Sequence, residues 1–168
     1  MATMRERQNR SKNLVGFIVG GVRYAVDILR VREIINPLPV VVLPHAPPAV
    51  VGVADHRGEV VPVLDLRLRF ALPPSTESRR TKWIIVRLEE RSVGLVVDAV
   101  TDVFGTGPAD QRDVPELGMG DTARGIAAVY KHEGSLVFVV DISRVAAPAE
   151  AIDIGSLAGL VGAASEGT

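Results

Sequence analysis

His56-Arg57-Gly58-Glu59-Val60-Val61-Pro62-Val63-Leu64-Asp65-Leu66 decides the fold, because the chain says it twice. Arg57-Gly58 is a turn signal between two Val-rich runs, Val50 to His56 and Glu59 to Leu64, which reads as a β-hairpin. Asp65 follows as a helix N-cap for Leu66 to Phe70, since its carboxylate can accept from the free N–H groups of a first helical turn. The same order returns at His132-Glu133-Gly134-Ser135-Leu136-Val137-Phe138-Val139-Val140-Asp141-Ile142: turn glycine, apolar strand, then Asp at a helix start.

A second match lies upstream. Tyr24-Ala25-Val26-Asp27-Ile28-Leu29-Arg30-Val31-Arg32-Glu33-Ile34 aligns with Val93-Gly94-Leu95-Val96-Val97-Asp98-Ala99-Val100-Thr101-Asp102-Val103. At that offset the strand from Leu14 meets the strand from Trp83. The two matches occur in the same order, and their offsets differ by one loop insertion. Two similar subdomains follow, each a barrel of about five strands, a closure that removes exposed strand edges.

Outward from the repeat, Leu14 to Val19 and Val22 to Ile28 form a hairpin around Gly20-Gly21. Ile28, Val31, Ile34 and Ile35 are spaced three and four apart, so Leu29 to Ile35 reads as a short helical turn ended by Pro37 and Pro39. Val40 to Pro48 is extended. Pro73 to Thr81 carries no apolar residue and reads as the internal boundary. Trp83 to Leu88 and Val93 to Val97 restart the strands, and 105–124 is a long connection. Gly125 to Tyr130 and Ser135 to Val140 make the last hairpin. Residues 1–13 read as a mobile tail, and Ala149 to Val161 as a C-terminal helix weakened by Gly155 and Gly159. The expected organisation is subdomain 1 over 14–72 plus a closing segment, subdomain 2 over 81–147, and a tail or helix over 148–168.

Composition limits the function. Apolar residues make up 47% of 168, mean hydropathy is +0.25, and no apolar run reaches the ~18 residues of a membrane span. There is no signal-peptide pattern and no cysteine, which together imply a cytoplasmic protein without disulfides or thiolate metal sites. Net charge is −1 and aromatics are 4%, against a nucleic-acid reader that needs a basic groove and stacking rings. Basic spots at Arg5, Arg7, Arg10 and Lys12, and at Arg79, Arg80 and Lys82, read as solvated charge. His45, His56 and His132 are scattered, and Asp55 and His56 point to opposite faces of a strand, so no metal site is expected. There is no phosphate loop, nucleophile elbow or Cys nucleophile, and Asp65 and Asp141 are caps rather than an acid–base pair. No catalytic residue and no cofactor is expected.

At these motifs the sequence resembles the CheW family of chemotaxis adaptors. The resemblance is carried by Tyr24 to Ile34, Gly52 to Arg67, Val93 to Val103 and Leu136 to Ile142, and runs from about residue 14 to 147. It implies a mainly β fold of two SH3-like five-stranded barrels packed with pseudo-twofold symmetry, with short helices between strands. It implies a non-catalytic scaffold that binds the regulatory domain of a CheA-type histidine kinase and the cytoplasmic tip of chemoreceptors. It also implies that Glu33 and Arg57 lie together near the receptor-binding surface, with Val31, Gly52 and Trp83 near the groove between the barrels. A receptor helix docked there would bury apolar side chains at helical spacing. One departure is local: the family usually has Asn-Leu before Arg-Gly, where this chain has Asp55-His56. That leaves open a paralogue that binds one partner only, in a specialised motility system. An unrelated β-barrel binding module and an enzyme using Asp55 or His56 are the readings from other classes. No length remains for an attached receiver domain of about 120 residues, so a free-standing adaptor is expected.

Overall fold

The computed structural model describes residues 12–114, 125–150 and 152. Eleven strands form two sheets. β1 (Lys12–Val19), β2 (Val22–Asp27), β8 (Ala99–Thr106), β9 (Gln111–Arg112), β10 (Ile126–His132) and β11 (Ser135–Val140) make one, in the order β8-β1-β2-β11-β10-β9. β3 (Val31–Ile35), β4 (Val50–His56), β5 (Glu59–Asp65), β6 (Lys82–Leu88) and β7 (Arg91–Val97) make the other, in the order β3-β6-β7-β5-β4. Single helical turns α1 (Leu66–Arg69), α2 (Ile142–Val145) and α3 (Ala147–Glu150) follow β5 and β11.

The repeat is present strand for strand. β1, β2 and β3 correspond to β6, β7 and β8, and β4, β5 and α1 to β10, β11 and α2. Even the β-bulges recur, at Val31/Glu33 on β3 and between Val15 and Phe17, where β1 meets β8. Asp65 and Asp141 both cap, accepting from Arg67 N and Ser143 N.

Pro73 to Thr81 links α1, which follows β5 of the five-stranded sheet, to β6 of the same sheet. Each sheet joins the first two strands of one repeat to the later strands of the other: β3, β4 and β5 in the five-stranded sheet, and β8 to β11, including the short β9, in the six-stranded one. The joint is a parallel pair, β2 with β11 and β5 with β7, among otherwise antiparallel neighbours. The chain passes from one sheet to the other just after β2 and just after β7. The first passage is the 3-10 turn Ile28–Arg30, held by Asp27, whose side chain accepts from Leu29 N at 2.9 Å.

That passage corrects the helical reading of Leu29 to Ile35. Only Ile28–Arg30 is helical, and Val31–Ile35 is a strand paired with β6. The bulge at Val31/Glu33 breaks strict alternation, which let a β-branched edge strand imitate a helical period. β8 lay unread in the stretch after Val97 for the same reason. β1 starts at Lys12, two residues before the expected strand. The expected tail over 1–11, most of the connection over 115–124 and the helix over 153–161 lie outside the described residues.

Side chains alternate along each strand between two environments. One side feeds a shared core between the sheets: Phe17, Tyr24 and Val26 from one, Ile84, Val86 and Leu95 from the other, with Leu66, Phe70, Ile142 and Val145 from the helical turns. The other side fills each barrel: Leu14, Ala25, Phe104, Tyr130 and Val137 in one, Ala54, Val63, Trp83 and Ile85 in the other. Leu14 and Trp83 are repeat equivalents, as are Tyr130 and Ala54, so large and small residues are traded between the two interiors.

Candidate partner-binding site

β3 and β4 are the outer strands of their sheet, and side chains join them. Glu33, on β3, receives Arg57 Nη2 on Oε1 at 2.6 Å. His56, at the end of β4, brings Nε2 to 3.2 Å from Oε2 of the same carboxylate. Arg32, next along β3, reaches Glu59 on β5 at 3.3 Å and also bonds Ser92 Oγ. Four charged side chains and an imidazole thus tie the first strand of the sheet to its last hairpin.

The turn that presents Arg57 is built by its own sequence. Arg57 and Gly58 both take positive φ, 54° and 83°, as a two-residue hairpin turn requires. Asp55 Oδ1 accepts from Gly58 N at 2.8 Å and holds the turn closed. An asparagine would offer the same oxygen to Gly58 N. Arg57 is 75% exposed, Glu33 is 32% exposed and His56 only 15%. His56 Nε2 itself is buried and makes no hydrogen bond among the described residues.

The second repeat carries the counterpart. Asp102 stands where Glu33 does and His132 where His56 does, and Nε2 hydrogen-bonds Asp102 Oδ2 at 3.0 Å. The His132 ring is stacked on Phe104, 3.8 Å between centroids. Glu133 replaces Arg57 in this copy. The hydrogen bond from His132 holds the Asp102 carboxyl below its usual range, against partial burial and with help from Thr101. Asp102, His132 and Glu133 have ligand atoms within 4.8 Å of one another, the donor types of a divalent-cation site. Reading the three histidines as scattered missed this cluster, which an imidazole paired with a carboxylate already explains.

Of the five residues singled out in the sequence, the structure brings Glu33 and Arg57 together, with Val31 two residues away on the same strand and partly exposed. Gly52 and Trp83 are inside. Gly52 passes under the extended segment before β4, where Val41 exchanges two backbone hydrogen bonds with Val53. A Cβ on Gly52 would sit 2.1 Å from Val41 O. Trp83 is 4% exposed and packs in its barrel with Ala54, Val63 and Ile85. The His56–Glu33 and His132–Asp102 contacts were missed, although the repeat offsets already set each histidine and each carboxylate in equivalent places.

The model of the CheW-like domain matches residues 13–150. The chain belongs to this family. Among CheW-like relatives, the chemotaxis protein CheW of Rhizobium meliloti (strain 1021) is 33% identical over 140 residues, covering 82% of this chain and 88% of the relative. The chemotaxis protein CheW of Helicobacter pylori is 30% identical over 131 residues, covering 78% and 79%. The crystal structure of the scaffolding protein TtCheW from Thermoanaerobacter tengcongensis superposes with a TM-score of 0.74 at 26% identity, covering 81% of this chain and 92% of that one. The CheW-like fold thus accounts for both described barrels, and the closure of β3 onto β4 is a feature within it.

Proposed function

We propose that this chain is a non-catalytic scaffold that couples chemoreceptors to a CheA-type histidine kinase on the cytoplasmic side of the membrane. The observation that carries this is the exposed Glu33–Arg57 pair, set on a rigid double barrel of the CheW-like family. A guanidinium and a carboxylate fixed to each other in a closed turn offer a partner a pre-positioned pattern of donors and acceptors, which lowers the ordering cost of docking. Val31, Glu33 and Arg57 touch partners. Gly52 and Trp83 act from inside, by seating the segment over β4 and by filling the barrel below β3. Among the described residues no helix is long and apolar enough to cross a membrane.

The test is co-purification and calorimetry with a CheA regulatory domain and a receptor-tip fragment, using wild type and Arg57→Ala. Binding of both partners by wild type, weakened in a variant that melts within a few degrees of it, is the expected result. Undiminished binding by the folded variant ends the assignment of the face. A second reading has one observation in its favour: His56, in place of the usual leucine, changes the chemistry behind the face. On that reading only one of the two partners binds, and the same titration separates the two.

A further inference from the structure

We propose that Asp102, His132 and Glu133 bind a first-row divalent metal ion of the zinc type, and that the ion ties β8 to the β10–β11 turn. The site is separate from the Glu33–Arg57 face, and its test needs no partner protein.

In the first repeat a guanidinium completes the equivalent corner, where Arg57 donates to Glu33. In the second, Glu133 holds the place of Arg57 and Asp102 the place of Glu33. Two carboxylates therefore converge where the first copy pairs a carboxylate with a cation. The hydrogen bond between His132 and Asp102 accounts for two members of the cluster. It leaves out Glu133, whose Oε1 lies 3.9 Å from the same Nε2, beyond hydrogen-bond reach. A dication among the three balances both carboxylates, as Arg57 balances one.

The donors are already oriented. Thr101 donates to Asp102 Oδ1 at 3.0 Å, which leaves Oδ2 facing His132 Nε2 at 3.0 Å. The imidazole is fixed by its stack on Phe104. Outer contacts of this kind hold metal ligands in place. Neighbouring donor atoms in a tetrahedral zinc shell stand about 3.3 Å apart, and the contacts of Nε2 at 3.0 and 3.9 Å lie on either side of that spacing. Glu133, 74% exposed on its turn, is free to close the remaining distance, and water completes the shell. One imidazole with two carboxylates favours transition ions over Mg2+ and Ca2+, which take oxygen ligands. His132 and Thr101 hold the Asp102 carboxyl below its usual range, so it is ionised at neutral pH. Arg23 of β2 opposes the ion, acting on Asp102 through charge and without a hydrogen bond to it among the described residues. On binding, the ion replaces the N–H between Nε2 and Oδ2, and the imidazole carries its proton on Nδ1.

The test uses the full chain without an affinity tag, stripped by a chelator and titrated with zinc chloride at neutral pH. Calorimetry is expected to show one ion per chain. NMR of the histidine rings is expected to show His132 passing to its Nδ1–H form while His45 and His56 stay unchanged. The melting temperature should rise by about 5–10 °C at a zinc concentration a hundredfold above Kd. Thr101→Val should weaken binding about tenfold. Glu133→Arg and His132→Gln should each abolish saturable binding. Glu133→Arg copies the first repeat at a turn position where Arg57 takes φ 54° and Glu133 49°, so it keeps the test decisive should His132→Gln fail to fold. Undiminished zinc affinity in either folded variant, or ring shifts shared evenly by all three histidines, means an adventitious ion only and overturns the proposal. Absence of saturable binding by wild type overturns it as well.

Discussion

Asp98 takes both hydrogen bonds of the Arg67 fork, at 2.8 Å from Nε and 2.7 Å from Nη2, and also accepts from Gly20 N at 2.8 Å. One carboxylate thereby fixes α1, the β1–β2 turn and the point where the chain passes from β7 to β8. Burial alone would raise the Asp98 carboxyl, but the bonds from Arg67 and Gly20 outweigh it and hold it below the usual range. A lowered folded-state value means that the stabilisation is complete above the unfolded carboxylate value, about 3.9, and is lost as pH falls through the folded one. Asp98→Asn is expected to lower the melting temperature at pH 7 and to flatten its fall on acidification below about pH 5. Melting curves at several pH values check this; a parallel curve with undiminished acid dependence would contradict it.

Two glycines should respond very differently to alanine. Gly52→Ala drives a Cβ into Val41 O at 2.1 Å, and backbone cannot rotate aside as a side chain can. Its cost is expected at about 1–3 kcal/mol or more. Gly58→Ala meets nothing within 4 Å and bears only the left-handed backbone penalty, about 1–2 kcal/mol. Urea titration of both variants ranks them, with Gly52→Ala the less stable.

Trp83 reports on the barrel rather than on the partner. Trp83→Ala empties a space bounded by Ala54, Val63 and Ile85, and is expected to cost about 3–5 kcal/mol. Because the ring is buried, wild-type tryptophan emission should be blue-shifted and almost unmoved by partner binding. A large emission change on binding would put the ring at the interface.

The two caps should behave alike. Asp65 and Asp141 accept from the second residue of α1 and α2 at 2.8 and 3.0 Å. Asp65→Ala and Asp141→Ala are each expected to lose about 1 kcal/mol, measured by urea titration.

Hairpin turns, caps and strand identity were legible because their codes are local. Gly20-Gly21, Arg57-Gly58 and Glu133-Gly134 all take the positive φ that their positions demand. Val31–Ile35 was misread because a bulge shifts the phase of the side chains, and phase is what periodicity measures. Glu33 and Arg57 came from a resemblance and proved to be in contact. His56 was weighed beside its neighbour Asp55, whereas the carboxylate it meets, Glu33, lies on another strand.

By itself, the sequence determined that one unit of strands, turns and capped helical turns occurs twice, since each piece depends on neighbours a few residues away. Only the tertiary structure decided that each sheet takes its first two strands from one repeat and its remaining strands from the other. Both pairings satisfy the same backbone groups and bury the same apolar faces, so nothing local distinguishes them. The choice rests on chain passage at Ile28–Arg30 and at Asp98, and it is that passage which brings Glu33 to His56 and Arg57.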